Sequence, residues 1–106
     1  MVNVLINAPK TAKKGETIEL KVLILHPMET GFRPGPNGTI IPRNIIEEFT
    51  ATWNGAEIFR ITLTPAIAAN PFVAFPAVAT ESGTVTFRWT GDAGFAVEES
   101  VAIKVE

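Results

Sequence analysis

I-I-E-E-F-T-A-T-W-N-G-A-E-I-F-R-I-T-L-T, residues 45–64, decides the fold. Its first five residues, I-I-E-E-F, would be acceptable in a helix. The β-branched content that follows and the Asn54-Gly55 pair favour a strand instead. Read with period two, Ile45, Phe49, Ala51 and Trp53 share one face, and Thr50 and Thr52 take the other. Asn-Gly between two such runs is a strong hairpin signal, because a type I′ turn needs positive φ at both central residues. The chain then returns over Ala56 to Thr64 with Phe59, Ile61 and Leu63 inward, which leaves Ile58 outward.

The same period recurs on both sides. Val2 to Asn7 places Val2, Val4 and Ile6 on one face and Asn3 and Asn7 on the other. Ala8 to Gly15, with Pro9 and Gly15, reads as a turn or short loop. Glu16 to Leu25 sets Ile18, Leu20, Val22 and Ile24 inward against Glu19 and Lys21, but Leu23 and Leu25 make its second face apolar as well. A strand apolar on both faces is expected to be covered on both, by the following loop or by a partner. Residues 61–80 carry no charge, yet Pro65, Pro71 and Pro76 interrupt them, which disfavours a membrane-spanning helix. A loop and a two-sided strand from Phe72 to Ala79 fit better, with Pro76 marking an edge or a bulge. Thr84 to Thr90 alternates cleanly, with Val85, Phe87 and Trp89 inward. After a Gly91-Asp92-Ala93-Gly94 turn, Phe95 to Val105 closes with Val97, Val101, Ile103 and Val105 inward. Seven short strands without a helix predict an all-β, immunoglobulin-like antiparallel β-sandwich, one domain over residues 1–106.

Composition narrows the function. At 46% hydrophobic and 19% charged residues the chain can bury an ordinary core. A formal net charge of −2 supplies no basic excess for nucleic acid or an anionic membrane. Without cysteine there is no disulfide framework, thiolate metal site or cysteine nucleophile. M-V-N-V-L-I-N has neither a basic start nor a long apolar core, so it reads as a first strand rather than an export signal.

Between the strands lies H-P-M-E-T-G-F-R-P-G-P-N-G-T-I-I-P-R, residues 26–43. This loop holds the only His, four of the eight Pro and three of the eight Gly. Loops of this length are usually functional or disordered, and Met28, Phe32, Ile40 and Ile41 need something to pack on. Catalysis has little to work with: a triad would need Ser82 or Ser100 with His26 and Asp92, and no motif surrounds either serine. His26, Met28 and Glu29 suggest a small copper site, although such sites usually recruit a second His or a Cys. The plainer reading is that His26 caps the strand end and hydrogen-bonds the loop backbone. Arg33 and Arg43 either pair with Glu29, Glu47 or Glu48, or present guanidinium donors to an anionic group. Apolar Leu23 and Leu25, Ile58 and the uncharged 61–80 run exceed the needs of one core and point to a protein interface. A generic adhesion or ligand-binding sandwich remains the alternative beside the copper site.

H-P-M-E-T-G-F-R (26–33), I-P-R-N-I-I-E-E-F (41–49), N-G-A-E-I-F-R (54–60), A-N-P-F (69–72) and S-G-T-V-T-F-R-W-T-G-D (82–92), in this order and spacing, resemble the SoxZ family of bacterial sulfur oxidation. The resemblance covers essentially the whole chain, and H-P-M-E-T-G is its most specific part. It implies an immunoglobulin-like sandwich that is not an enzyme and binds no cofactor or metal. It also implies a heterodimer with SoxY, whose flexible arm carries sulfur intermediates on a cysteine. Passing contact with other Sox enzymes and co-export to the periplasm with a signal-bearing SoxY follow in the same way. An isolated subunit is expected to pair with a second copy through the same apolar patch. The residues expected at the partner surface are His26, Met28, Glu29, Phe32, Arg33 and Arg43 in the loop, with Leu23, Leu25, Phe72 and Phe75 from the strands.

Overall fold

Alternating side chains on extended chain need two sheets that share one interior, and this is what forms. The structure, a computed structural model, describes residues 4–64, 67 and 69–106. Val2, expected in the first strand, and Pro65 lie outside the described residues. The strands are β1 (Val4–Asn7), β2 (Thr11–Ala12), β3 (Thr17–Ile24), β4 (Ile46–Trp53), β5 (Ala56–Thr62), β6 (Phe72–Val78), β7 (Gly83–Gly91) and β8 (Ala96–Val105). One sheet has the order β1-β3-β6, the other β2-β8-β7-β4-β5. The chain is nearly all β, with single 3₁₀ turns at Pro36–Gly38 and Asp92–Gly94.

One expectation needs correction. Ala8 to Gly15 is not only a turn: Thr11 and Ala12 pair in parallel with Lys104 and Val105. Two residues are too short for alternation to reveal, yet they carry the chain from one sheet to the other after Pro9. Ile58 is exposed at 37%, as expected, but its setting is not that of a plain strand face. At a bulge opposite Thr52, β5 carries one residue more than β4. Such an extra residue upsets simple alternation. Ile58 therefore lines, with Trp53, Ala56 and Ala77, a cleft of about 510 Å³ between the free edges β5 and β6.

The hairpin follows its sequence signal: Asn54 has φ 51 and Gly55 φ 85. The interior is aromatic. Phe49 on β4 lies 5.1 Å from Trp89 and 6.2 Å from Phe87 on β7, and 6.1 Å from Phe75 on β6. Phe59 stacks on Phe75 at 4.3 Å and closes the seam between the sheets. Each such pair adds about 0.5–1.5 kcal/mol to the area it buries. Pro76 sits on the edge strand β6, opposite Glu19, where its missing N–H costs no ladder bond. Gly91 is required by proximity, since a Cβ there would stand 2.2 Å from the Ile45 carbonyl oxygen at the irregular start of β4.

The described chain measures 59 × 21 × 20 Å. β8, the longest strand, spans only about 33 Å. Residues 26–43, which join the end of β3 to the start of β4, form an arm closed by two isolated bridges.

Candidate partner-binding surface

The arm is an irregular hairpin. Glu29 and Asn44 exchange both backbone hydrogen bonds at 2.8 Å, and Pro34 bridges to Ile40. Near the tip, Ile41 N–H donates to the Arg33 carbonyl at 2.9 Å, and the Thr39 hydroxyl donates to the Pro36 carbonyl at 2.8 Å. Proline and glycine suit this shape because Gly31 and Gly38 need positive φ and the prolines restrict the rest. Phe32, between the two bridges, is 84% exposed, and Ile40, at the outer bridge, 57%.

At the root the arm is held on both sides. On the first side, His26 N–H donates to Asn70 Oδ1 at 2.9 Å, and Asn70 N–H donates to the His26 carbonyl at 2.8 Å. Met28 N–H donates to His26 Nδ1 at 3.0 Å, and Ile46 N–H to Met28 Sδ at 3.3 Å. The His26 ring meets Phe95 edge-on at 4.9 Å. On the second side, Asp92 receives Arg43 Nε at 2.9 Å and Nη2 at 2.8 Å, and also the Ile45 N–H at 3.1 Å. These donors, Arg43 first and Ile45 next, hold the Asp92 carboxyl below its usual range. Arg33 grips Glu29 with Nε at 3.0 Å and Nη2 at 2.5 Å, and this hydrogen bonding likewise lowers the Glu29 carboxyl. Burial lowers the His26 imidazole, with the Asp92 charge acting weakly the other way. Asn44 Oδ1 is buried without a hydrogen-bond partner among the described residues.

The second surface is the outer face of the β1-β3-β6 sheet. Register places Leu5, Leu23 and Phe72 side by side across all three strands. Along β6, Ala74, Pro76 and Val78 continue the same face, and the Lys21–Glu19 ion pair crosses it beside them. Leu5, Lys21, Leu23 and Phe72 border a hollow of about 270 Å³. Leu25, exposed, follows just past the end of β3.

Against this geometry the ten expected contact residues divide. Glu29, Phe32, Arg33 and Arg43 belong to the arm; Leu23, Leu25 and Phe72 belong to or adjoin the apolar face. His26, Met28 and Phe75 require correction, because they are buried at 5%, 4% and 2% exposure. Phe75 has the opposite parity to Phe72 and therefore enters the core. His26 and Met28 fasten the arm instead of facing outward. Copper ligation through His26 Nδ1 would displace its bond from the Met28 N–H. The described residues contain no group of three His, Cys, Asp or Glu able to hold a metal ion. The ion pairing anticipated for the arginines is present: Arg33 with Glu29, and Arg43 with Glu47 and, more closely, Asp92. Sequence reading missed Leu5, whose apolar side chain between Val4 and Ile6 was the available signal. It also missed Asp92 as an anchor, 49 residues from Arg43.

Residues 6–102 match the family described as the sulphur oxidation protein SoxZ. No curated protein matches the chain. Among solved structures, the superoxide reductase (neelaredoxin) of Ignicoccus hospitalis superposes with a TM-score of 0.75 at 21% identity, over 97% of this chain and 80% of that one. A putative superoxide reductase of Thermotoga maritima gives 0.72 at 19%, over 97% and 85%. The sulfur carrier protein SoxY of Chlorobium limicola f thiosulfatophilum gives 0.68 at 13%, over 97% and 78%. At these identities the likeness is one of fold.

Proposed function

The chain belongs to the SoxZ family, and from that premise we propose that it is the non-enzymatic partner subunit of a SoxYZ sulfur carrier, active in the oxidation of thiosulfate. It holds the cysteine-bearing SoxY subunit in a heterodimer and crosses to the periplasm with it. The observation that carries this reading is the apolar row Leu5-Leu23-Phe72 on the outer face of the three-stranded sheet, extended by Ala74, Pro76 and Val78. A solvated antiparallel sheet face is normally polar, and contiguous apolar surface of this kind marks an interface. The SoxY fold resembles this one, so two similar sandwiches pack sheet against sheet. Without SoxY, the same face pairs two copies of this chain. The arm, beside that face, offers Phe32, Ile40 and Arg33 to the enzymes that visit the carrier.

Two guanidinium groups held ready for an anionic sulfur adduct fit less well, because Arg33 and Arg43 are already gripped by carboxylates. The test is titration of a SoxY protein with this chain. Leu23→Lys is expected to weaken binding by about 30-fold or more, the cost of a central interface residue of about 2 kcal/mol. Unchanged affinity in Leu23→Lys and in Phe72→Glu would remove this face from the reading. Absence of any complex with the native chain would remove the reading itself.

A further inference from the structure

His26 occupies an unusual place for a titratable group. It is the chain's one histidine, 5% exposed, where β3 passes into the arm. Its Nδ1 accepts the Met28 N–H, so that nitrogen carries the lone pair and the ring proton sits on Nε2. The bond has a second role. Met28 holds a left-handed backbone, φ 51, which a side-chain-bearing residue adopts only when its surroundings hold it there. One of those restraints is the bond to His26; the other is the Ile46 N–H on Met28 Sδ.

We propose that His26 is a proton-operated latch on the first side of the arm's root: neutral, it fastens that side to the sandwich, and protonated, it releases it. Adding a proton to Nδ1 sets two N–H donors against each other. The Met28 N–H then has no acceptor, its left-handed turn loses a restraint, and the Met28–Ile46 contact goes with it. Phe95 packs on the ring from the β7–β8 turn and Asn70 binds its backbone from the β5–β6 connection; neither carries a charge. The charge that acts on the ring is that of Asp92, the one group that could favour an imidazolium. Asp92 is already occupied by Arg43 and the Ile45 N–H. The latch therefore has a counter-charge nearby but no free one.

The sign follows from linkage. The unfastened ring takes up its proton near the ordinary imidazole value of about 6.5, while the fastened ring resists it. Fastening is complete above that pH and weakens as pH falls through the interval below it. The second side of the root, Asp92 with Arg43, stays charged there and keeps the sandwich end intact. Acid thus loosens the arm that carries Phe32 and Ile40 without unfolding the domain.

Amide hydrogen exchange of the full chain, followed residue by residue by NMR from pH 7.5 to 5 and corrected for intrinsic rates, tests this. Protection at Met28, Ile46 and Asn70 is expected to fall by up to about tenfold per pH unit below 6.5, while Phe49 and Phe87 in the core stay level. His26→Gln keeps an acceptor that cannot titrate, so its arm should show no pH response. The ¹⁵N signal of Nδ1 in the native chain must titrate with the same midpoint as the arm amides. A flat native profile, an undiminished slope in His26→Gln, core amides falling together with the arm, or a mismatch of midpoints would each overturn the latch.

Discussion

Across the outer face of the five-stranded sheet, Arg88 on β7 lies between Thr50 on β4 and Glu98 on β8. Thr86 meets Ser100 at 3.0 Å, and Arg60 bonds Glu48 and Glu57. Across the outer face of the three-stranded sheet, Leu23 lies between Leu5 and Phe72. The strands, pleat and antiparallel pairing are alike. The first face is finished with hydroxyls and ion pairs that water solvates well; the second would leave three large apolar side chains in water. A sheet needs only one apolar face to fold. The second apolar face is the one the proposed contact with SoxY would cover, and the polar face shows that this fold does not require it.

The largest effect expected within this comparison comes from two phenylalanines on one strand. Phe75→Ala, in the aromatic interior, should cost about 3–5 kcal/mol in urea or thermal unfolding. Phe72→Ala, three residues earlier and exposed, should change stability by less than about 1 kcal/mol while weakening the complex with SoxY. If both residues destabilise the isolated chain equally, Phe72 is core and the outer face is not free. Leu23→Lys comes next: stability barely altered, affinity down by about 30-fold. In the absence of SoxY it should also abolish any concentration-dependent dimer seen by sedimentation.

A smaller and more local effect is expected at the arm. Asp92→Asn keeps the shape but weakens the grip on Arg43. Its consequence should appear as faster exchange at Ile45 and Asn44 with the melting temperature nearly unchanged. In the native chain the Asp92 contribution is present above the usual carboxylate range. Because its pKa is lowered on folding, that contribution is lost only as pH falls below about 4, well under the His26 interval. The smallest effect belongs to the polar face. Arg88→Ala, on a pair 3.5 Å apart and half exposed, should stay within about 0.5 kcal/mol and leave SoxY affinity unaltered. A large loss of affinity there would exchange the roles of the two faces.

Much of the fold could be read from local pattern. Thr84 to Thr90 alternates without fault because β7 lies inside its sheet, where one side meets the core and the other meets water. Asn54-Gly55 marks its hairpin because few residue pairs adopt left-handed φ together. Pro76 marks an edge because it cannot complete a ladder. The bulge opposite Thr52 was not legible, because neither Glu57 nor Ile58 differs in composition from an ordinary strand residue. Phe75 was assigned to the surface because Phe72 to Ala79 is apolar at almost every position. Alternation then carries no information about which side faces in. His26 and Met28 looked like an exposed pair because they open a loop, yet the loop's first turn folds under and buries them.

Period-two hydrophobicity, turn chemistry and the missing cysteine are properties of short stretches, and the sequence by itself settles them: an all-β sandwich, its hairpin, and a chain that cannot carry sulfur on a thiol of its own. Strand order is a different kind of fact. Only when β1 and β6 are laid on either side of β3 do Leu5, Leu23 and Phe72, far apart in the chain, become one apolar surface. Only when the β7–β8 turn meets the start of β4 does Asp92 reach Arg43 and Ile45. Backbone pairing joins residues at any separation in the chain, so which apolar faces are covered and which stay open is decided by the tertiary structure.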